Sequence, residues 1–174
     1  TFMARNAAKE ALVVSLGETN ISHTMVQEFI NDGAKTAVVE QMQICVQNIN
    51  KSATISNQRA AKEMCATTSA KDALVNSLGK EVSNVEVAQY VFEGAQDAVG
   101  DAMARCYKVS KAAKLRLDTL SKCKQNSAKQ VLEVSLGKDV TVVEVETFIR
   151  ESAKDSATDA MKAAMTSSTN ASER

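Results

Sequence analysis

The chain has 174 residues, with 21 basic and 21 acidic side chains, no proline, no tryptophan and 3% aromatics. Charge balance leaves no surplus of Lys and Arg to displace phosphate counterions, which argues against nucleic-acid binding. Uncharged stretches fall far short of the ~18 apolar residues of a membrane span. A 24% charged, 44% hydrophobic composition is that of a folded soluble protein. Proline breaks helix interiors and is common in turns, so its absence predicts an all-α chain. The chain begins Thr1-Phe2-Met3 without a signal peptide, as expected of a processed product or a fragment.

In chain order, a first helix is expected near 4–16. It contains Ala8-Lys9-x-x-Leu12-x-x-Ser15-Leu16-Gly17. The same pattern returns as Ala70-Lys71-x-x-Leu74-x-x-Ser77-Leu78-Gly79 and as Ala128-Lys129-x-x-Leu132-x-x-Ser135-Leu136-Gly137. A spacing of about 60 residues points to stacked supersecondary units. Ala70, Ala73, Leu74 and Leu78 lie on one helical face. Gly17, Gly79 and Gly137 stand where a left-handed residue ends a helix.

A second helix follows each corner, near 22–48, 83–108 and 141–166. Ser83-Asn84-Val85-Glu86 and Thr141-Val142-Val143-Glu144 fit the capping box. Ser22 occupies the same place but Met25 replaces the acid, so that cap is weaker. Val26, Val87 and Val145 correspond, as do Phe29, Tyr90 and Phe148, and Met42, Met103 and Met161; the methionines are expected in the core. Gly33, Gly94 and Ser152 are small in all units, where a neighbouring helix can approach closely. First helices of the second and third units are expected near 58–78 and 114–136. The predicted fold is three tandem helical-hairpin repeats, 1–57, 58–115 and 116–174, packed as a disulfide-stapled six-helix bundle or short α-solenoid. A frayed tail is expected near 166–174.

Cys45 matches Cys106, late in a second helix, and Cys65 matches Cys123, just before the next unit. The matching terminal positions, Met3 and Ala164, would lack a partner and are not cysteine. Of the three possible pairings this logic selects Cys45–Cys65 and Cys106–Cys123. Disulfides imply an oxidising compartment: secreted, extracellular or an organelle lumen. Asn20, Asn50 and Asn170 head glycosylation sequons in expected turns or the tail.

Catalytic chemistry is sparse. There is no CxxC and a single histidine, His23, so zinc is not expected. His23 lies at a helix start, and no glycine-rich phosphate loop exists. Lys9, Lys71 and Lys129 are expected to cover helix faces. Nearly everything the units share is a core side chain, a cap, a corner or a cysteine. The reading is therefore a non-enzymatic, secreted structural or assembly component with no cofactor, whose partners are proteins or further copies of itself.

The pattern Leu-x-x-Ser-Leu-Gly, a short corner, then Val-x-x-Phe/Tyr-x-x-x-(Gly)-Ala resembles the helical repeat domains of spider egg-case and wrapping silks, over about 30 residues per unit. The many Lys and Glu residues and the paired cysteines depart from those silks. The resemblance implies a secreted structural material. Two alternatives stand beside it. An accessory or linker subunit of a large complex in an organelle lumen would use Val13, Val14, Val38, Val39, Val142 and Val143 as an apolar patch. A secreted carrier would hold an apolar ligand among Tyr90, Phe92, Tyr107 and the methionines.

Overall fold

The computed structural model describes residues 2–17, 21–113 and 116–172, with backbone alone for 2–5, 163 and 165–172. Its elements are α1 (Phe2–Leu16), α2 (His23–Gln47), α3 (Ile55–Met64), a π-helical turn (Cys65–Ser69), α4 (Ala70–Leu78), α5 (Asn84–Ala113), α6 (Leu117–Ser135) and α7 (Val142–Ser172). The π turn joins α3 to α4 in one unbroken run over 55–78. Among the described residues the chain therefore forms six helices and no strand.

Local chemistry sets the helix ends. Gly17, Gly79 and Gly137 have φ of 69°, 62° and 64°, the left-handed region. Gly79 N–H then donates to the Val75 carbonyl at 2.9 Å, satisfying a group the helix end leaves open. At the start of α5, Ser83 Oγ accepts from Glu86 N–H at 3.2 Å, and Glu86 Oε2 accepts from Ser83 N–H at 2.9 Å. Thr141 and Glu144 repeat this box before α7, at 3.2 and 2.8 Å. Before α2 only half of it exists: Ser22 Oγ accepts from Met25 N–H at 3.1 Å, and Met25 cannot reciprocate.

Several boundaries differ from expectation. The 55–78 run starts three residues earlier than 58, because Thr54 Oγ1 caps it by accepting from Asn57 N–H at 3.3 Å. α5 continues to Ala113 and α6 begins at Leu117, where the Arg116 carbonyl accepts from Thr119 and Leu120 N–H. α7 extends through the segment expected to fray, as far as Ser172. No Gly or Pro after Thr166 interrupts it. The π turn was not legible in the sequence; within it Thr67 Oγ1 donates to the Glu63 carbonyl at 3.0 Å.

The chain divides into two compact units, Thr1–Gly94 with Val134–Lys138, and Ala95–Glu133 with Asp139–Arg174. In the first, α2 packs along α4 and the π turn, with Val38, Met42, Cys65, Ala70 and Leu74 buried in a common core. Leu136 packs against that core. In the second, Val99, Ala102, Cys106, Ala128, Leu132, Val140, Val145 and Phe148 are buried.

Candidate functional site

Two cysteine pairs link consecutive helices. Cys45, near the end of α2, is bonded to Cys65 at the head of the π turn; Cys106, near the end of α5, is bonded to Cys123 in α6. The Cα atoms lie 5.7 and 5.9 Å apart, within ordinary disulfide range. Each bridge carries a serine that sequence reasoning did not single out. Ser69 Oγ donates to Cys45 Sγ at 3.3 Å. Ser127 Oγ lies 3.4 Å from Cys106 Sγ and 3.9 Å from Cys123 Sγ. Each serine stands four residues after its cysteine, one helical turn on, so the i, i+4 spacing in both segments was the available signal.

Successive long helices also meet at close-approach points. In the first unit, a Cβ on Gly94 of α5 would lie 2.8 Å from Val39 Cγ2 and 3.2 Å from the Lys35 carbonyl of α2. Tyr90 Oη donates to Asn31 Oδ1 at 3.2 Å, and Lys35 Nζ lies 3.6 Å from Glu93 Oε2. In the second unit, a Cβ on Gly100 of α5 would lie 2.8 Å from Ser152 Oγ of α7, and Gln96 Nε2 donates to Asp155 Oδ2. At Gly33, another position expected to admit a neighbour, a Cβ would meet no atom of the described residues within 4 Å.

The expected core positions divide by location. Leu74 and Leu132 are wholly buried, Leu12, Leu78, Leu136 and Tyr90 are half-buried, and Phe148 is 7% exposed. Leu16 and Phe29 depart from expectation at 44% and 48% exposed. Met42 is buried, Met103 half-buried and Met161 exposed, so the shared methionine is a core residue only in part. Of the valines expected at an apolar interface, Val14, Val142 and Val143 are exposed. Val38 and Val39 leave that set. α2 is covered on two sides, so Val38 enters the core beside Leu74 while Val39 meets Gly94. Val13 is half-buried.

Of the sequons, Asn50 lies exposed in the α2–α3 turn, where its Oδ1 accepts from Ser52 N–H at 2.9 Å. Asn20 lies outside the described residues, as does the side chain of Asn170 on α7. Beside the Cys106–Cys123 bridge an open groove of about 270 Å³ is lined by Ala102, Arg105, Val109, Gln130 and Val131. Phe92 and Tyr107, expected around a carried ligand, are 49% and 56% exposed.

The strongest electrostatic perturbation is a cap. Glu86 is lowered to about 2, first by its hydrogen bond from Lys80 and then by those from the Ser83 backbone and hydroxyl; Lys80 is raised by the same contact. His23 stands exposed at the first position of α2. Of the shared serines, Ser15 and Ser77 are exposed, while Ser135 is buried and its Oγ has no hydrogen-bond partner among the described residues. Among the described residues no group of three His, Cys, Asp or Glu is placed to hold a metal ion, and no helix is long and apolar enough to cross a membrane. No family model, curated protein or solved structure matches the chain.

Proposed function

We propose that this chain is a non-enzymatic, secreted helical repeat protein that serves as a structural or assembly component of an extracellular material. It is read as three tandem hairpins over 1–57, 58–115 and 116–174. The observation that carries the reading is the recurrence of one junction. Cys45, Cys65 and Ser69 are answered by Cys106, Cys123 and Ser127 in the same register and with the same linkage. The three left-handed corner glycines add to it. What recurs holds helices in place; none of it is reaction chemistry. Two disulfides are compatible with an oxidising space outside the cytosol.

The test is fractionation of the native source under non-reducing conditions. The reading expects both disulfides intact and the protein recovered with extracellular fibre, capsule or matrix. Recovery as a soluble cytosolic protein with four free thiols would overturn it. Recovery in a large particle from an organelle lumen would favour the linker-subunit reading, which draws on exposed Val14, Val142 and Val143.

A further inference from the structure

The contact that α2 makes on α5 uses residues whose counterparts in the sequence pattern are exposed elsewhere in the chain. In the sequence register, Asn31, Lys35 and Val39 of α2 correspond to Arg150, Lys154 and Thr158 of α7. Likewise Tyr90, Glu93 and Gly94 of α5 correspond to Phe29, Asp32 and Gly33 of α2. The first set packs on the second inside the molecule: Asn31 on Tyr90, Lys35 on Glu93, Val39 on Gly94. Gly94 is buried by that contact, whereas Gly33 faces open space and Phe29 is 48% exposed. Arg150, Lys154 and Thr158 are exposed as well.

From this we infer that the Phe29–Asp32–Gly33 face of α2 is a docking surface for the Arg150–Lys154–Thr158 face of α7 on a second copy of the chain. The inference rests on the repeat reading above and names the partner it implies. The chemistry matches contact by contact. Lys154 meets Asp32 as Lys35 meets Glu93. In the separate chain each is held by a pair within its own helix, Lys154 with Glu151 and Asp32 with Lys35. The Arg150 guanidinium covers the face of Phe29, an attraction available to a cation over an aromatic ring. Thr158 enters the notch at Gly33, where no atom of the described residues lies within 4 Å of a Cβ position. The two surfaces differ, so the contact is heterologous and joins copies head to tail in open chains or rings. No cysteine stands at Ala164, the position matching Cys45 and Cys106, so the contact is non-covalent and reversible.

Sedimentation equilibrium of the purified, oxidised chain tests this. The expected result is reversible association that rises with concentration and weakens with salt. Gly33→Trp fills the notch at an exposed helical position, so circular dichroism should be unchanged while association weakens by about tenfold or more. Asp32→Lys and Lys154→Glu should each weaken it by roughly fivefold, and the two together should restore it to within about threefold of the original. Zero-length carbodiimide coupling of an isotopically mixed sample should yield an intermolecular Asp32–Lys154 link. A wild-type chain still monomeric at about 1 mM would overturn the inference. So would association that none of these substitutions changes, which would place assembly on another face and leave the proposed function standing.

Discussion

At the scale of single residues, the three corner glycines share a conformation but not an environment. All have positive φ, where a Cβ costs about 1–2 kcal/mol. A Cβ on Gly79 would meet nothing within 4 Å among the described residues, while one on Gly137 would lie 2.6 Å from the Lys62 carbonyl oxygen and 3.1 Å from Met42 Cε. Gly79→Ala should therefore cost about 1 kcal/mol and Gly137→Ala clearly more than 2 kcal/mol in urea denaturation. Glu86 gives a pH-dependent test. Its folded value, about 2, lies below the ordinary carboxylate range. The stabilisation from its cap is thus fully present above the unfolded value and is lost as pH falls through about 2. A carboxyl NMR titration should find that midpoint, and Lys80→Met should move it upward, because the Lys80 bond is the largest cause.

At the scale of elements, helix ends were the most legible feature. A capping box is a four-residue interaction, and the two complete boxes and the one half-box lie where the sequence puts them. The π turn was not legible, since neither composition nor periodicity announces one extra residue in a turn. The disulfides join elements 20 and 17 residues apart in sequence. Cys106→Ser with Cys123→Ser should lower unfolding stability by about 3 kcal/mol in the chain-entropy account, with the helices retained by circular dichroism. The spacing of Ser69 and Ser127 from the cysteines is visible in the sequence, but serine is common on helix surfaces and the sulfur contact alone gives these two a role.

At the scale of the molecule, burial separates residues that the repeat makes look equivalent. Leu74 is wholly buried while Leu12, its counterpart in register, is half-buried; Leu16 is 44% exposed while its counterparts Leu78 and Leu136 are half-buried. Leu74→Ala should cost ~2–5 kcal/mol. Leu16→Ala should cost less than about 0.5 kcal/mol, as exposed substitutions do. Equal losses at the two positions in thermal or urea unfolding would contradict this difference in burial. Phe29 against Phe148, and Met161 against Met42, divide in the same way. A residue at the edge of a repeat pattern has the right chemistry for a core and no neighbour to form one with.

By itself, the sequence determined the all-helical class, the corners, the caps and the choice of cysteine partners. These follow from interactions spanning a few residues, or from a register that the repeated pattern makes countable. Only the tertiary structure decided which faces are covered: that Val38 is buried and Val39 meets Gly94, that Gly33 is open while Gly94 is jammed, and that Phe29 faces solvent. Covering a helix face requires a second helix brought from far along the chain. Its presence is a property of packing that no local pattern records.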